Sequence, residues 1–269
     1  MAVVALVSAK GSPGTTTAAM AFMATWSRPV IFAETDPAGG DLLAGFLRGE
    51  LGANLGLAEV TVAALRGRLS EEFFSQLVDV DRDKRRRLLL PGITSPAQSA
   101  TLAPVWPDLA TYFASLEYTE PGYDVLADCG RLAAPNPPLP ILQAADAVLI
   151  VVGGTLASVA HAAAAIPVLA RQLVEAGGTT AGLGLLIRDG GTYPPKEIAK
   201  TLRARAKLHL PPIAALPDDR SAARVFSEGG QIPKSSPLLR AAAAARERLT
   251  ALISASRQAR VAQREVAHA

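Results

Sequence analysis

Cysteine is nearly absent from this chain, and its scarcity excludes one means of stabilising the fold. Cys129 is the single cysteine among 269 residues, so no intramolecular disulfide can form. The fold must depend instead on a buried apolar core, which a chain of this length can build as one large α/β domain. A lone thiol fits a reducing compartment, and we predict that Cys129 packs in the interior.

Long hydrophobic runs are also missing, although hydrophobic residues make up 49% of the chain. The longest candidate, Ala147 to Val152, has the length of a strand, far below the roughly 18 apolar residues that cross a membrane. The N-terminus has neither a basic segment nor a small-residue cleavage site. We therefore expect no transmembrane segment and a cytoplasmic protein, with peripheral contact to membrane or nucleoid left open.

Aromatic residues are scarce, at 5%, and the charge balance is mildly basic, with a net charge of +3 and a pI near 9.2. No groove-binding motif or aromatic platform accompanies the arginines, which excludes sequence-specific nucleic-acid recognition of the usual kinds. A solvated surface is the simplest interpretation of the basic residues. The alternative is non-specific contact with DNA or anionic membrane through the cluster Arg82, Arg85, Arg86 and Arg87.

Apolar strands alternate with helical segments from one end of the chain to the other. The segments Ala2 to Val7, Pro29 to Ala33 and Ala147 to Val152 are continuously apolar, as expected of parallel strands buried on both faces. The pattern predicts an α/β fold: a single doubly wound, mostly parallel sheet with helices on both faces. We assign residues 1–256 to this domain and residues 257–269 to a polar, Arg-rich tail.

The segment AKGSPGTTT, residues 9 to 17, lies between the first strand and an Ala-rich helix. A Gly-rich turn in that position directs backbone N–H groups and a helix N-terminus at one point, which favours an anion such as a nucleotide phosphate. The strict phosphate-loop pattern G-x-x-x-x-G-K-[ST] is met only in part, since Thr15 stands at the lysine position. The alternative is a Gly/Thr-rich turn without a ligand.

Two carboxylates follow predicted strands next to this loop. Asp36 comes after the second strand, and Asp128 closes the apolar strand that begins at Tyr123. Ligands of open α/β sheets bind beyond the carboxyl ends of the strands. A carboxylate there can hold the water shell of Mg²⁺, which neutralises phosphate charge.

These segments resemble, in order, four motifs of the ParA/MinD superfamily of ATPases. The loop is similar to the deviant Walker A pattern K-G-G-x-G-K-[ST]-T, and ETDPAGGD at 34–41 is similar to D-x-D-P-Q-x-N. YDVLAD at 123–128 and AADAVLIVV at 144–152 resemble the Y-D-x-x-x-x-D and A-A-D-x-V-L-I-V strands. The resemblance implies a MinD-like P-loop NTPase fold. The chain departs from the patterns at Thr15, Glu34, Ala38 and Gly40, at Cys129 to Arg131, and at Leu186-Ile187-Arg188, where the adenine-binding Asn of the family is missing.

The resemblance also implies roles for residues. Lys10 corresponds to the lysine that reaches across a nucleotide-sandwich homodimer, and Asp36 to the catalytic Asp. Thr16, Asp36 and Asp128 correspond to the magnesium site. The residues implied to bind ATP are Gly11, Ser12, Pro13, Gly14, Thr15, Thr16, Thr17, Arg188, Pro217, Asp218 and Asp219.

Two function classes follow from this pattern. Because a neutral hydroxyl at Thr15 cannot replace an ammonium facing phosphate charge, we expect weak or absent ATP hydrolysis. The chain would then be a nucleotide-gated or pseudo-ATPase scaffold that positions a cellular assembly with an unidentified partner, as in the pilus-positioning TadZ/CpaE group. The alternative is an active ATPase that dimerises on ATP in chromosome or plasmid partitioning or division-site placement.

Overall fold

A computed structural model describes residues 2–11, 13–52, 54–81 and 84–268, with side chains described through residue 265. Ser12 and Arg82, both named above, lie outside the described residues.

Eight strands form one sheet in the order β3-β4-β2-β5-β1-β6-β7-β8. All neighbouring pairs are parallel except β3 and β4, which are antiparallel. The mostly parallel sheet predicted from the sequence is thereby confirmed. The strands are β1 (Val3–Ser8), β2 (Val30–Glu34), β3 (Val78–Asp79), β4 (Arg87–Leu90), β5 (Asp124–Arg131), β6 (Ala147–Val152), β7 (Leu183–Arg188) and β8 (Pro212–Leu216).

Helices cover both faces of the sheet. One core cluster contains side chains of α2, α5, α6, α7 and α8, and the other contains side chains of α1, α9, α10 and α11. The helices within the described residues are α1 (Thr15–Thr25), α2 (Leu57–Leu65), α3 (Leu69–Glu72), α4 (Ser99–Leu102), α5 (Trp106–Ser115), α6 (Leu139–Ala144), α7 (Leu156–Glu175), α8 (Pro195–Ala206), α9 (Arg220–Glu228), α10 (Pro237–Ala244) and α11 (Arg246–His268).

The central strand β1 shows why the predicted strands are continuously apolar. Val3, Ala5 and Val7 belong to one core, whereas Val4 and Leu6 belong to the other. Successive strand residues point to opposite faces, and both faces are covered here, so neither set can be polar.

Three local predictions differ from the structure. The segment from Leu42 to Ser70 becomes helical only at Leu57, because several turns occupy residues 42–49 before it. The loop from Pro135 to Pro140 ends in α6, whose first turn accommodates Pro140 because the N–H groups there need no partner within the helix. The closing helix predicted from Ser236 to Ser256 is two helices, α10 and α11, that meet at Ala245.

Helix α7 is the one helix in the described residues that is long and apolar enough to cross a membrane, by length and composition only. Its buried side chains, among them Val159, Ile166 and Leu169, belong to the core cluster on one face of the sheet. A core helix of a soluble protein passes the same test, so the match is weak evidence for a span.

The basic cluster is partly engaged by the fold. Arg86 donates to the carbonyl of Ser27 at 3.0 Å, and Arg87 donates to the carbonyl of Met23 at 3.2 Å and to Asp81 at 3.0 Å. Helix α1 ends at Thr25, so both arginines lie near its C-terminus. A cation there is favourable because it complements the last carbonyls of the helix. These two arginines therefore stabilise the end of α1 as well as contributing surface charge.

Residues beyond 256 continue α11 and hold it to the sheet. Arg257 forms two hydrogen bonds with Asp146, at 2.8 and 3.0 Å. Arg260 donates to the carbonyls of residues 143, 144 and 145, at the end of α6. Arg257 is 43% exposed, so solvent screens its hydrogen bonds, and the two arginines together stabilise the fold less than fully buried charged groups would.

We predict that ending the chain after Ser256 lowers the free energy of unfolding by about 2–4 kcal/mol, because both arginines are lost. Ending it after Gln263 keeps both arginines and serves as the matched control, with an expected change below about 0.5 kcal/mol. Urea unfolding followed by circular dichroism measures the difference. Equal stabilities of the two shortened chains would contradict this role of the arginines.

Candidate functional site: a phosphate-binding cavity at the sheet edge

The loop after β1 leaves the start of α1 open to an anion. Gly14 precedes the helix in the left-handed region, at φ 99°, which favours glycine. Gly14 has no side chain that could cap the helix, and no acidic residue occupies the first turn. Within the described residues, the N–H groups of Thr15 to Thr17 have no hydrogen-bond acceptor, whereas a capping side chain supplies one in many helices.

These N–H groups border a cavity of about 340 Å³, which we call the phosphate cavity. Its walls come from the loop, from the segment after β2, from the end of β5, and from α9. Six residues predicted to bind nucleotide or to act in catalysis line it together. They are Gly11, Gly14, Thr15, Thr16, Thr17 and Asp36.

Thr16 connects this cavity with Asp128. Its hydroxyl donates to Oδ2 of Asp128 at 2.5 Å, and the N–H of Gly130 donates to Oδ1 at 3.0 Å. Burial raises the pKa of Asp128 to about 6, although these hydrogen bonds act in the opposite direction. A hydroxyl that donates to a carboxylate keeps its oxygen lone pairs available for a cation.

The strand β5 continues three residues past Asp128, whereas the sequence predicts that the carboxylate closes it. Gly130 has φ 61°, and a Cβ at this position would lie 2.1 Å from the carboxyl carbon of Asp36. Only glycine therefore allows Asp36 to approach β5 this closely. Burial raises the pKa of Asp36, and its Oδ2 lies 4.0 Å from a guanidinium nitrogen of Arg131.

Glu34 is buried beneath the segment that carries Asp36. Its Oε1 accepts the N–H groups of Asp41 and Leu42, at 2.9 and 3.2 Å, and its Oε2 accepts that of Gly92 at 2.8 Å. A Cβ on Gly40 would lie 2.2 Å from Oε2. Gly40 and Glu34, both departures from the motif, thus fit each other and fix the path of the chain after β2.

Burial raises the pKa of Glu34 from 4.5 to about 7, while the hydrogen bonds of Gly92, Asp41 and Leu42 act in the opposite direction. Between these two pH values the folded protein holds a proton that the unfolded chain releases. The folded state binds more protons there, so rising pH destabilises the fold through this group.

We predict that Glu34→Gln abolishes this contribution. The amide nitrogen of Gln would replace Oε2, and the N–H of Gly92 would lose its acceptor. The variant should therefore be less stable than the parent at about pH 4.5, by roughly 1–3 kcal/mol. The advantage of the parent should then fall by about 3 kcal/mol as pH rises to about 8. Urea unfolding at several pH values measures both effects, with exposed Glu71→Gln as the control. A difference that does not change with pH would contradict the prediction.

A second, smaller cavity of about 80 Å³ adjoins the loop and matches the predicted base site. Pro13, Arg188, Pro217, Asp218 and Asp219 line it, as the resemblance implies. Both carboxylate oxygens of Asp219 already accept N–H groups, from residues 222 and 238. Asp219 therefore caps the start of α9, and Arg188, Asp218 and Thr17 are polar side chains of this cavity that remain for a ligand.

Lys10 lies outside the phosphate cavity, on an open cavity of about 530 Å³ beside the loop. It is exposed there, together with Arg131, Arg188 and His161. Lys10 is therefore not among the residues that line the phosphate cavity of its own chain.

A protein-only metal site is absent from the residues that the structure describes: no three His, Cys, Asp or Glu side chains group as metal ligands. Mg²⁺ usually takes one or two protein ligands and completes its shell with water and phosphate oxygens. Thr16, with Asp128 behind it, fits that kind of site.

Several residues that line the phosphate cavity have no role predicted from the sequence. Among them, Arg131 belongs to a segment that departs from a motif, and Asp41 to a segment that matches one in part. Phe226 and Ser227 come from α9, more than 200 residues beyond the loop, so no local pattern could place them here.

A Gly-rich loop between a strand and a helix, with a Thr–Asp pair at its base, is the arrangement of a P-loop fold. Solved structures with the same overall arrangement support this class. MinD from Pyrococcus horikoshii, solved with Mg-ADP, has a TM-score of 0.67 and 16% identity over 92% of this chain and 95% of its own. The ParA family ATPase from Chlorobium tepidum has a TM-score of 0.65 and 17% identity over 90% and 97%.

A McdA variant from Cyanothece, solved as an ATP complex, has a TM-score of 0.64 and 18% identity over 94% of this chain and 96% of its own. No protein-family model matches the sequence, and no curated protein matches it. These structures show that the chain has the P-loop α/β fold of MinD and the ParA family ATPase, which is the fold that the resemblance predicts.

Proposed function

We propose that the chain binds a magnesium nucleoside phosphate at the loop of residues 10–17. The hydrogen bond from Thr16 to Asp128 at the edge of the phosphate cavity carries the proposal, because it prepares a hydroxyl oxygen next to an uncapped helix start. A bound Mg²⁺ would supply positive charge toward the phosphates there. Three solved structures of the same fold contain Mg-ADP, AMPPNP or ATP, which supports the ligand class.

We further propose that turnover is weak or absent and that the protein acts as a nucleotide-gated scaffold. Thr15 places a buried hydroxyl where the strict pattern has an ammonium, so transition-state charge lacks that donor. We expect a rate well below the 1–10³ s⁻¹ typical of enzymes. Positioning of a pilus, secretion or polar assembly is the corresponding cellular role, with a cytoplasmic location.

An active ATPase in partitioning or division-site placement is the second candidate. Asp36 favours it, since this carboxylate lines the phosphate cavity, where it could orient a water molecule. Brisk magnesium-dependent phosphate release by the purified protein would select this candidate over the scaffold.

Titration with ATP, ADP and GTP, with and without Mg²⁺, tests the proposed function. Calorimetry measures affinity, and light scattering in the same solutions measures mass. We expect weak, magnesium-dependent binding with little preference between adenine and guanine, because the adenine-binding Asn is replaced in Leu186-Ile187-Arg188. Failure of every nucleotide to bind at millimolar concentration would reject the proposed function.

We also propose a nucleotide-dependent homodimer in which Lys10 reaches the neighbouring subunit. Lys10 is exposed beside the loop and is absent from the lining of its own phosphate cavity. Lys10→Ala should keep the monomer's nucleotide affinity and lose the mass increase on adding Mg-ATP. A variant that still dimerises would remove Lys10 from this role.

Contact with polyanions, if it occurs, is expected to be non-specific. The basic cluster contains exposed arginines, among them Arg85 and Arg86. Binding to DNA or anionic vesicles should therefore fall by orders of magnitude between about 50 and 200 mM salt. Tight, salt-insensitive binding to one DNA sequence would contradict this expectation.

A further inference from the structure

The phosphate cavity has an uneven charge distribution. Glu34, Asp36 and Asp41 contribute acidic side chains to its lining, and Thr15 contributes a neutral one. Arg131 is the one basic residue among the described residues that line it. Within the described residues of its own chain, a phosphate group in this cavity therefore meets a cation only at Arg131.

The backbone brings Arg131 to this position by an irregularity in β5. The register between β1 and β5 shifts after Leu6, so Arg131 lies opposite Ser8 at the end of β1. The hydroxyl of Ser8 donates to the carbonyl of Gly130 at 3.1 Å and fixes the turn before Arg131. Strand β5 thus ends at Arg131, next to the start of the loop that follows β1.

The guanidinium of Arg131 is weakly engaged. Its nearest carboxylate oxygen, on Asp36, lies 4.0 Å away, and its side chain is 38% exposed. By contrast, Arg257 forms two hydrogen bonds with Asp146 at 2.8 and 3.0 Å. Arg131 therefore keeps donors free for a ligand, and the guanidinium fork matches phosphate oxygens.

We propose that Arg131 binds the terminal phosphate of the nucleotide and supplies the positive charge that Thr15 does not. The inference rests on the proposed function, because it assigns a further binding residue to the same site. Arg131 also lines the open cavity that contains Lys10, so one side chain reaches both sides of the loop. It can follow the end of a polyphosphate that extends past the loop.

Calorimetric titration with Mg-ATP, Mg-ADP and inorganic tripolyphosphate tests the assignment. Arg131→Ala should weaken binding of ATP and tripolyphosphate about ten- to hundredfold and weaken ADP less, since the terminal phosphate loses its cation. Arg131→Lys should recover part of the loss, because it restores charge without the fork. The control Arg171→Ala removes an exposed arginine from α7 and should leave all three affinities unchanged.

A double-mutant cycle separates ligand binding from support of Asp36. If Arg131 only holds Asp36, then Arg131→Ala has no effect in an Asp36→Asn background. The proposal predicts that the loss of ATP affinity persists there.

The outcomes distinguish the role of Arg131 from nucleotide binding by the chain as a whole. Equal affinities of parent and Arg131→Ala for ATP would overturn the assignment of Arg131 and leave the proposed function standing. A parent that binds none of the three ligands would overturn both. Circular dichroism establishes that each variant is folded.

Discussion

Thr15→Lys is expected to raise the affinity for Mg-ATP by about ten- to hundredfold. Thr15 begins α1 and lines the phosphate cavity, so a lysine there places an ammonium beside the open N–H groups. The remainder of the cradle, including Gly14 and Thr16, is already present. The change therefore adds the ammonium that the strict phosphate-loop pattern has at this position.

Calorimetry measures this gain, with Thr111→Lys as the matched control. Thr111 is exposed on α5, so that variant adds the same charge away from the site. Full turnover is not expected of Thr15→Lys, because Ala38 and the segment from Cys129 to Arg131 also depart from the ATPase motifs. If Thr15→Lys is folded and binds ATP no better than the parent, the loop is not a phosphate cradle that lacks one residue.

Asp128→Asn is expected to lower the affinity for Mg²⁺ in the presence of nucleotide by about ten- to hundredfold. The variant should be as stable as the parent or more stable. Asn can still accept the N–H of Gly130, but its amide would donate to the oxygen of Thr16. That hydrogen bond occupies a lone pair that Mg²⁺ would need. Stability should rise above about pH 6, because the buried charge of Asp128 is removed.

Asp124→Asn is the matched control at the opposite end of β5. Asp124 is buried, and its oxygens accept the N–H of Ala2 and the indole N–H of Trp26. The amide of Asn would oppose one of these donors, so this variant should lose about 1–3 kcal/mol of stability and keep its magnesium dependence. Titration of MgCl₂ at fixed ATP, together with urea unfolding, measures both properties. Equal changes in Mg²⁺ affinity and in stability for the two variants would contradict the role given to Asp128.

The fold was predictable because its central strands are buried on both faces. The continuous apolar runs at Val3 to Val7 and Ala147 to Val152 are typical of parallel strands that helices cover on both faces. The short antiparallel strand β3 was missed. Val78 and Asp79 are two half-buried residues, too few for a periodic pattern, and β3 depends on its pairing with β4.

The candidate site was predictable where its residues are close in sequence. The loop and the carboxylates at Asp36 and Asp128 could be placed together because parallel strands end at one edge of the sheet. The contributions of Phe226 and Arg131 could not, because one depends on the packing of α9 and the other on a register shift within β5. Glu34 was recognised as a departure from a motif, but its buried hydrogen bonds with Asp41, Leu42 and Gly92 required the tertiary structure.

Hydrogen–deuterium exchange of the parent protein, with and without saturating Mg-ATP, tests most directly whether the loop of residues 10–17 is the nucleotide site. The proposed function predicts slower exchange of the amides at the start of α1, from Thr15 to Thr17, because phosphate oxygens would accept their N–H groups. The end of α11 should exchange as before and serves as the internal reference. Exchange at Thr15 to Thr17 that is unchanged by Mg-ATP, under conditions where calorimetry shows binding, would contradict the account.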